Sequence, residues 1–156
     1  MKRTFVLVMI LLAAVASAQA KKVSSVKYDI ESAGPSKVGT YLVQVWVFSK
    51  NGKVSEDMLK YAAVHGVIFR GFTGETNERP IASSPLIEQE KKDFFDDFFS
   101  EEGAFRTYAT IVPGQLRKIK TSTGEFKVGA VLSVQKDRLK QFLVEANIVK
   151  GLKSGF

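Results

Sequence analysis

Histidine occurs once in this chain, at position 65, and cysteine not at all. Those two counts limit the available chemistry. Any serine–histidine pair would have to use His65, and no Gly-x-Ser-x-Gly elbow accompanies it. A two-histidine metal site cannot be assembled, nor can thiol catalysis or cysteine-ligated zinc. His65 falls mid-helix, at the edge of the expected buried face near Met58 and Phe69. A packed or surface histidine is the ordinary reading there, and a general base or ligand is the alternative. The run Asp93-Phe94-Phe95-Asp96-Asp97, followed by Glu101-Glu102, places acids at i, i+3 and i+4. Oxygen donors in that spacing suit a hard cation such as calcium or magnesium. The run lacks the glycine and ligand spacing of an EF-hand loop, and acids on a helix ordinarily form a solvated face.

Other residues could bind rather than react. Phe94, Phe95, Phe98 and Phe99 are the densest aromatic cluster. They read as core, with Phe95 or Phe99 at the edge of the arc as alternative anchors for a partner. Arg117, Lys118 and Lys120, with Lys127, fall on an expected hairpin. They either guard a sheet edge against aggregation or form a basic contact surface for an anionic ligand. Arg79 lies in a loop, residues 72–84, that is long enough to be functional. Gly71, Gly74 and Gly103 make no phosphate loop. No catalytic residue, metal site or cofactor is assigned. The candidate binding residues are Arg79, Arg117, Lys118, Lys120, Lys127, Phe95 and Phe99.

The elements that would carry these residues follow from periodicity. Val26, Tyr28 and Ile30 alternate with Lys27, Asp29 and Glu31, a half-buried strand. After a turn containing Gly34-Pro35 and Gly39, residues 40–49 are apolar on both faces, which predicts a central strand covered on both sides or nearly so. Ser55 caps a helix with Glu56 and Asp57 in its first turn. Met58, Leu59, Ala62, Gly66 and Phe69 share one face, and Ala62, Ala63 and Gly66 are small enough to let it lie close on a sheet. Ser84-Pro85 opens a second helix, with Lys91 set in its apolar arc, so that the helix begins near Lys92 or Lys91 snorkels outward. Residues 104–112 read as a strand. Residues 116–121 and 125–134 read as a hairpin around Ser122-Thr123-Gly124. A last helix covers about 136–147, with Leu139, Phe142, Leu143 and Ala146 in register. The order ββ-αα-βββ-α predicts an α+β fold: one sheet of about five mostly antiparallel strands, with helices packed largely on one face.

The first twenty residues have the layout of a secretory signal peptide. Lys2 and Arg3 precede an uncharged apolar run, and cleavage is expected after Ala18 or Ala20. The run is shorter than the ~20 apolar residues of a membrane span. Residues 21–150 then form one domain, with 151–156 a flexible tail. With no cysteine at the junction, no lipid anchor is expected there. The formal net charge is +7. Between Glu56 and Glu102 there are eleven acids against five bases, whereas from Gln115 onward there are nine bases against three acids. An acidic middle therefore sits between basic ends, which either balance within the fold or leave a basic surface facing something anionic. Nucleic acid is not an expected partner of an exported protein without a reading motif.

Gln19 directly after Ala16-Ser17-Ala18 resembles the export signals common in Bacteroides-type Gram-negative bacteria. The segment Gly39-Thr-Tyr-Leu-Val-Gln-Val-Trp-Val-Phe-Ser, with Ala62-Ala-Val-His-Gly-Val-Ile-Phe-Arg-Gly-Phe, resembles uncharacterised exported proteins of that group. The ending, Phe126-Lys-Val-Gly-Ala-Val-Leu-Ser-Val and then a helix through Leu139 and Leu143, is similar to small α+β envelope modules of the TolB amino-terminal kind. These resemblances imply export and an α+β fold and carry over no functional residue.

The function expected is a non-enzymatic binding or assembly module of the bacterial cell envelope, periplasmic or secreted. Its partner would be an envelope protein or an anionic envelope polymer. A small histidine- or cation-dependent hydrolase using His65 and the Asp93–Asp97 acids is one alternative. A structural subunit that self-associates through the edge hairpin is the other.

Overall fold

Strand alternation, valines on one side and Leu42, Gln44, Trp46 and Phe48 on the other, builds the centre of the molecule. The structure is a computed structural model and describes Val23 and residues 26–151. The expected signal peptide and residues 152–156 of the expected tail lie outside the described residues. Strands β1 (Tyr28–Ser32), β2 (Tyr41–Ser49), β3 (Ala109–Ile111), β4 (Arg117–Lys120) and β5 (Phe126–Val134) form one sheet. Every pairing is antiparallel. β1 pairs β2 and β2 pairs β5, while β3 and β4 share the far side of β5, one after the other. The expected α+β single sheet is present.

Among the described residues four α-helices accompany it: α1 (Glu56–Phe69), α2 (Ile87–Glu90), α3 (Lys92–Phe98) and α4 (Lys136–Glu145). Ser55 caps α1 by accepting from the Met58 amide. α1 is buried almost all round, from Leu59 through Ile68, rather than on the single expected face. It lies between the sheet and the phenylalanine-rich α3. Gly66 permits this approach: a Cβ there would stand 2.7 Å from Ile30 Cδ1. α2 and α3 are split at Lys91, whose backbone leaves the helical region at φ −114° and ψ 36°.

Two expectations are corrected. Residues 104–112 are not a continuous strand: Ala104–Tyr108 is a 3-10 helix, and only Ala109–Ile111 join the sheet. Phe105 and Tyr108 are the buried pair, and their three-residue spacing matches one 3-10 turn. Nor is β2 covered on both faces. Val43, Val45 and Val47 point into the core and are essentially inaccessible. Leu42, Gln44, Trp46 and Phe48 alternate to the other side, stay half-exposed and take no part in the core cluster. Among the described residues no helix packs on that second face, and none is long and apolar enough to cross a membrane.

Candidate functional site

His65 is placed by α1 between two other elements. Its Nδ1 lies 2.6 Å from the Tyr28 hydroxyl of β1, and its Nε2 lies 3.3 Å from both carboxylate oxygens of Glu88 on α2. The imidazole is 9% exposed and is packed by the rings of Tyr61, Phe69 and Phe99. Burial pushes the Tyr28 phenol well above its ordinary pKa of 10.0, against an opposing pull from the Arg70 guanidinium. The phenol stays protonated; with the neutral imidazole carrying its proton on Nε2, Tyr28 donates to Nδ1 and Nε2 donates to Glu88. This geometry ties β1, α1 and α2 together through one side chain, with both ring nitrogens engaged.

The acids do not join it. Asp96 is ion-paired with Lys92 one turn away on exposed helix surface. Among the described residues no three histidine or acidic side chains converge to hold a metal ion. Phe95 and Phe99 are both 0% exposed, which bears out the core reading and removes them as partner-binding anchors. They pack against Phe69, Tyr61 and Phe105 and offer no surface to a partner. The reason is the burial of α1 all round: α3 must cover its outer side, and these two rings do so.

The loop at 72–84 is tied down. Phe72 and Glu78 exchange backbone hydrogen bonds, and Ile81 and Ala82 donate to carbonyls of α1. With Tyr28, Asp29, Ile30 and Arg70 it walls an open cleft of about 490 Å³, which the exposed Arg79 also lines. Arg70 lies 4.0 Å over the Tyr28 ring and donates to the Tyr28 carbonyl. Glu78 of the cleft wall accepts a hydrogen bond from the Tyr41 hydroxyl at 2.8 Å. This cleft is on the β1 edge. The basic hairpin is on the opposite edge, three strand spacings of ~4.8 Å away, so Arg79 and the hairpin cations do not make one patch.

The hairpin cations themselves divide. β4 is exposed along its length. Strand alternation sends Lys118 and Lys120 to one side, where both ammonium groups lie near the Phe126 ring. Arg117 and Ile119 go to the other side, with Lys127 of β5. The register then arranges the uncovered face in rows across the sheet. One row reads Lys27, Phe48, Lys127, Ile119, and the next reads Asp29, Trp46, Gly129, Arg117. Gly129 is required by the second row: a Cβ there would stand 2.7 Å from Trp46 Cδ2, so its absence lets the indole lie against the backbone. Lys127 Nζ lies 5.5 Å from the Trp46 ring centroid and 4.9 Å from that of Phe48, and Lys27 Nζ lies 4.6 Å from Phe48. Lys127 also reaches Asp29 at 3.3 Å.

Of the residues expected from sequence, the structure thus brings Lys127 and Arg117 onto one face and separates Lys118, Lys120 and Arg79 from them. Sequence reasoning missed Trp46, Phe48 and Lys27. The signal was there in β2, whose alternate positions hold Val43, Val45 and Val47 on one side and Leu42, Gln44, Trp46 and Phe48 on the other. No protein-family model, curated protein or solved structure matches this chain.

Proposed function

We propose that this chain is a non-enzymatic binding module of the bacterial envelope, periplasmic or secreted, and that its contact surface is the uncovered sheet face. One observation carries the reading: two large aromatic rings, Trp46 and Phe48, stand on a face that no described helix covers, framed by Lys27, Lys127 and Arg117. Half-exposed aromatics grouped with cations are the composition of a recognition surface rather than of an idle one. The basic balance of the chain after Gln115 adds an attraction for anionic partners. The hydrolase reading draws less support. Its histidine is enclosed by aromatic rings and held by a tyrosine and a glutamate, and its acids lie on another surface.

The test is cosedimentation of the purified protein with isolated envelope fragments. The wild type is expected to pellet in low salt and to be released as salt screens the cations. The double variant R117E/K127E is expected to remain in the supernatant. A wild type that never pellets, or a double variant that pellets equally, would overturn the reading.

A further inference from the structure

We infer that the Trp46–Phe48 face takes a segment of acidic polysaccharide, a glycan chain carrying carboxylates such as uronate units. This rests on the binding-module reading and names the partner of the same surface. The indole of Trp46 lies against the backbone at Gly129, where no Cβ intervenes, so this face presents the two rings close on the sheet. A sugar ring has an apolar face of C–H groups and a polar rim. The first stacks on an aromatic ring, and the second needs charged and hydroxyl partners close beside it. The register supplies that alternation: Phe48 lies between Lys27 and Lys127 in one row, and Trp46 lies between Asp29 and Gly129, with Arg117 beyond, in the next.

The same interleaving disfavours the other occupants. A second copy of the chain seated sheet to sheet would cover Lys27, Asp29, Lys127 and Arg117 at the centre of its interface. Charged residues are depleted there, and burying them is costly. An acidic peptide would satisfy the cations but has no regular apolar face for the two rings. A glycan uses both, and its carboxylates complement three cations that stand within two adjacent rows. Lys127 currently pairs with Asp29 across exposed surface, an interaction weak enough to yield to an incoming carboxylate.

Trp46 is the only tryptophan of the chain, so its emission reports on this face alone. The experiment titrates the purified protein with size-defined polygalacturonate and follows that emission. Neutral dextran, polyglutamate and buffer dilution are run in parallel. A saturable change with polygalacturonate is expected, with none from dextran and a much weaker one from polyglutamate. R117A/K127A should weaken it about tenfold or more. K37A, in the turn at the other end of the sheet, should leave it unchanged. No response to polygalacturonate, equal responses to dextran or polyglutamate, or an unaffected double variant would each overturn the inference. So would a change of emission with protein concentration alone, which would assign the face to a second copy. Envelope cosedimentation that survives a failed titration would reject the glycan and leave the binding-module reading standing.

Discussion

Tyr28 and His65 are the residues whose local physics is most exposed to test. The Tyr28 phenol has its pKa raised chiefly by burial, and Tyr41 is raised in the same direction by burial and by its hydrogen bond to Glu78. Each group holds its proton more tightly in the folded protein than in the unfolded chain, where it titrates near 10.0. Their contribution to stability is therefore complete below about pH 10 and is lost as pH rises through the folded values. Thermal unfolding followed against pH should show the melting temperature declining from about pH 10 upward. Tyr28→Phe should make that alkaline decline shallower. It should also lower stability at pH 7 by about 1–3 kcal/mol, because His65 Nδ1 then lies buried without its donor. An unchanged alkaline slope in Tyr28→Phe would show that this phenol is not held as described. At the same scale, Gly129 explains why Trp46 can lie against the sheet, a pairing invisible until register is known.

At the scale of elements, α3 is where the core and binding interpretations of the phenylalanines diverge. Phe95 and Phe99 are fully buried, so truncating either to alanine should cost about 3–5 kcal/mol in chemical denaturation. Ile119 on the exposed edge is 51% exposed and should tolerate alanine within about 0.5 kcal/mol. A mild Phe99→Ala would return that ring to the surface. β1, β2, the Ser55 cap, the β4–β5 hairpin and the last helix were legible because periodicity and turn residues agree there. Less legible were features decided by neighbours. Where α3 lands decides what covers the outer side of α1, but α1 itself carried the signal that this side is covered, since Tyr61 to Phe69 is apolar nearly all round. Phe105 and Tyr108 look like strand residues by propensity, and only their three-residue spacing, satisfied by a 3-10 turn against α1, says otherwise. The candidate site was half legible for the same reason. Arg117 and Lys127 are visible as cations, but their separation from Lys118 and Lys120 is set by strand register, as is the partnership of Lys127 with Trp46 and Phe48.

The whole molecule is a sheet with two unlike faces. One meets α1, with α3 packed beyond it, and holds the hydrophobic core that runs from Val23 to Ile148 among the described residues. The other keeps Leu42, Trp46, Phe48 and Val131 half-exposed among charges. A fold that covered its sheet on both sides would need another helix, and the described chain spends its helices on one. The proposed function makes the uncovered face the contact side, and the most direct test reads that proposal against isolated envelope. A photo-crosslinking amino acid placed at Ile119, in the row of Lys127 and Phe48, is compared with one at Gln141 on the exposed side of α4. The account predicts covalent adducts from position 119, diminished when R117E/K127E is added, and none above background from position 141. Equal yields from the two positions, or adducts from 141 alone, would contradict the assignment of the uncovered sheet face as the working surface of this protein.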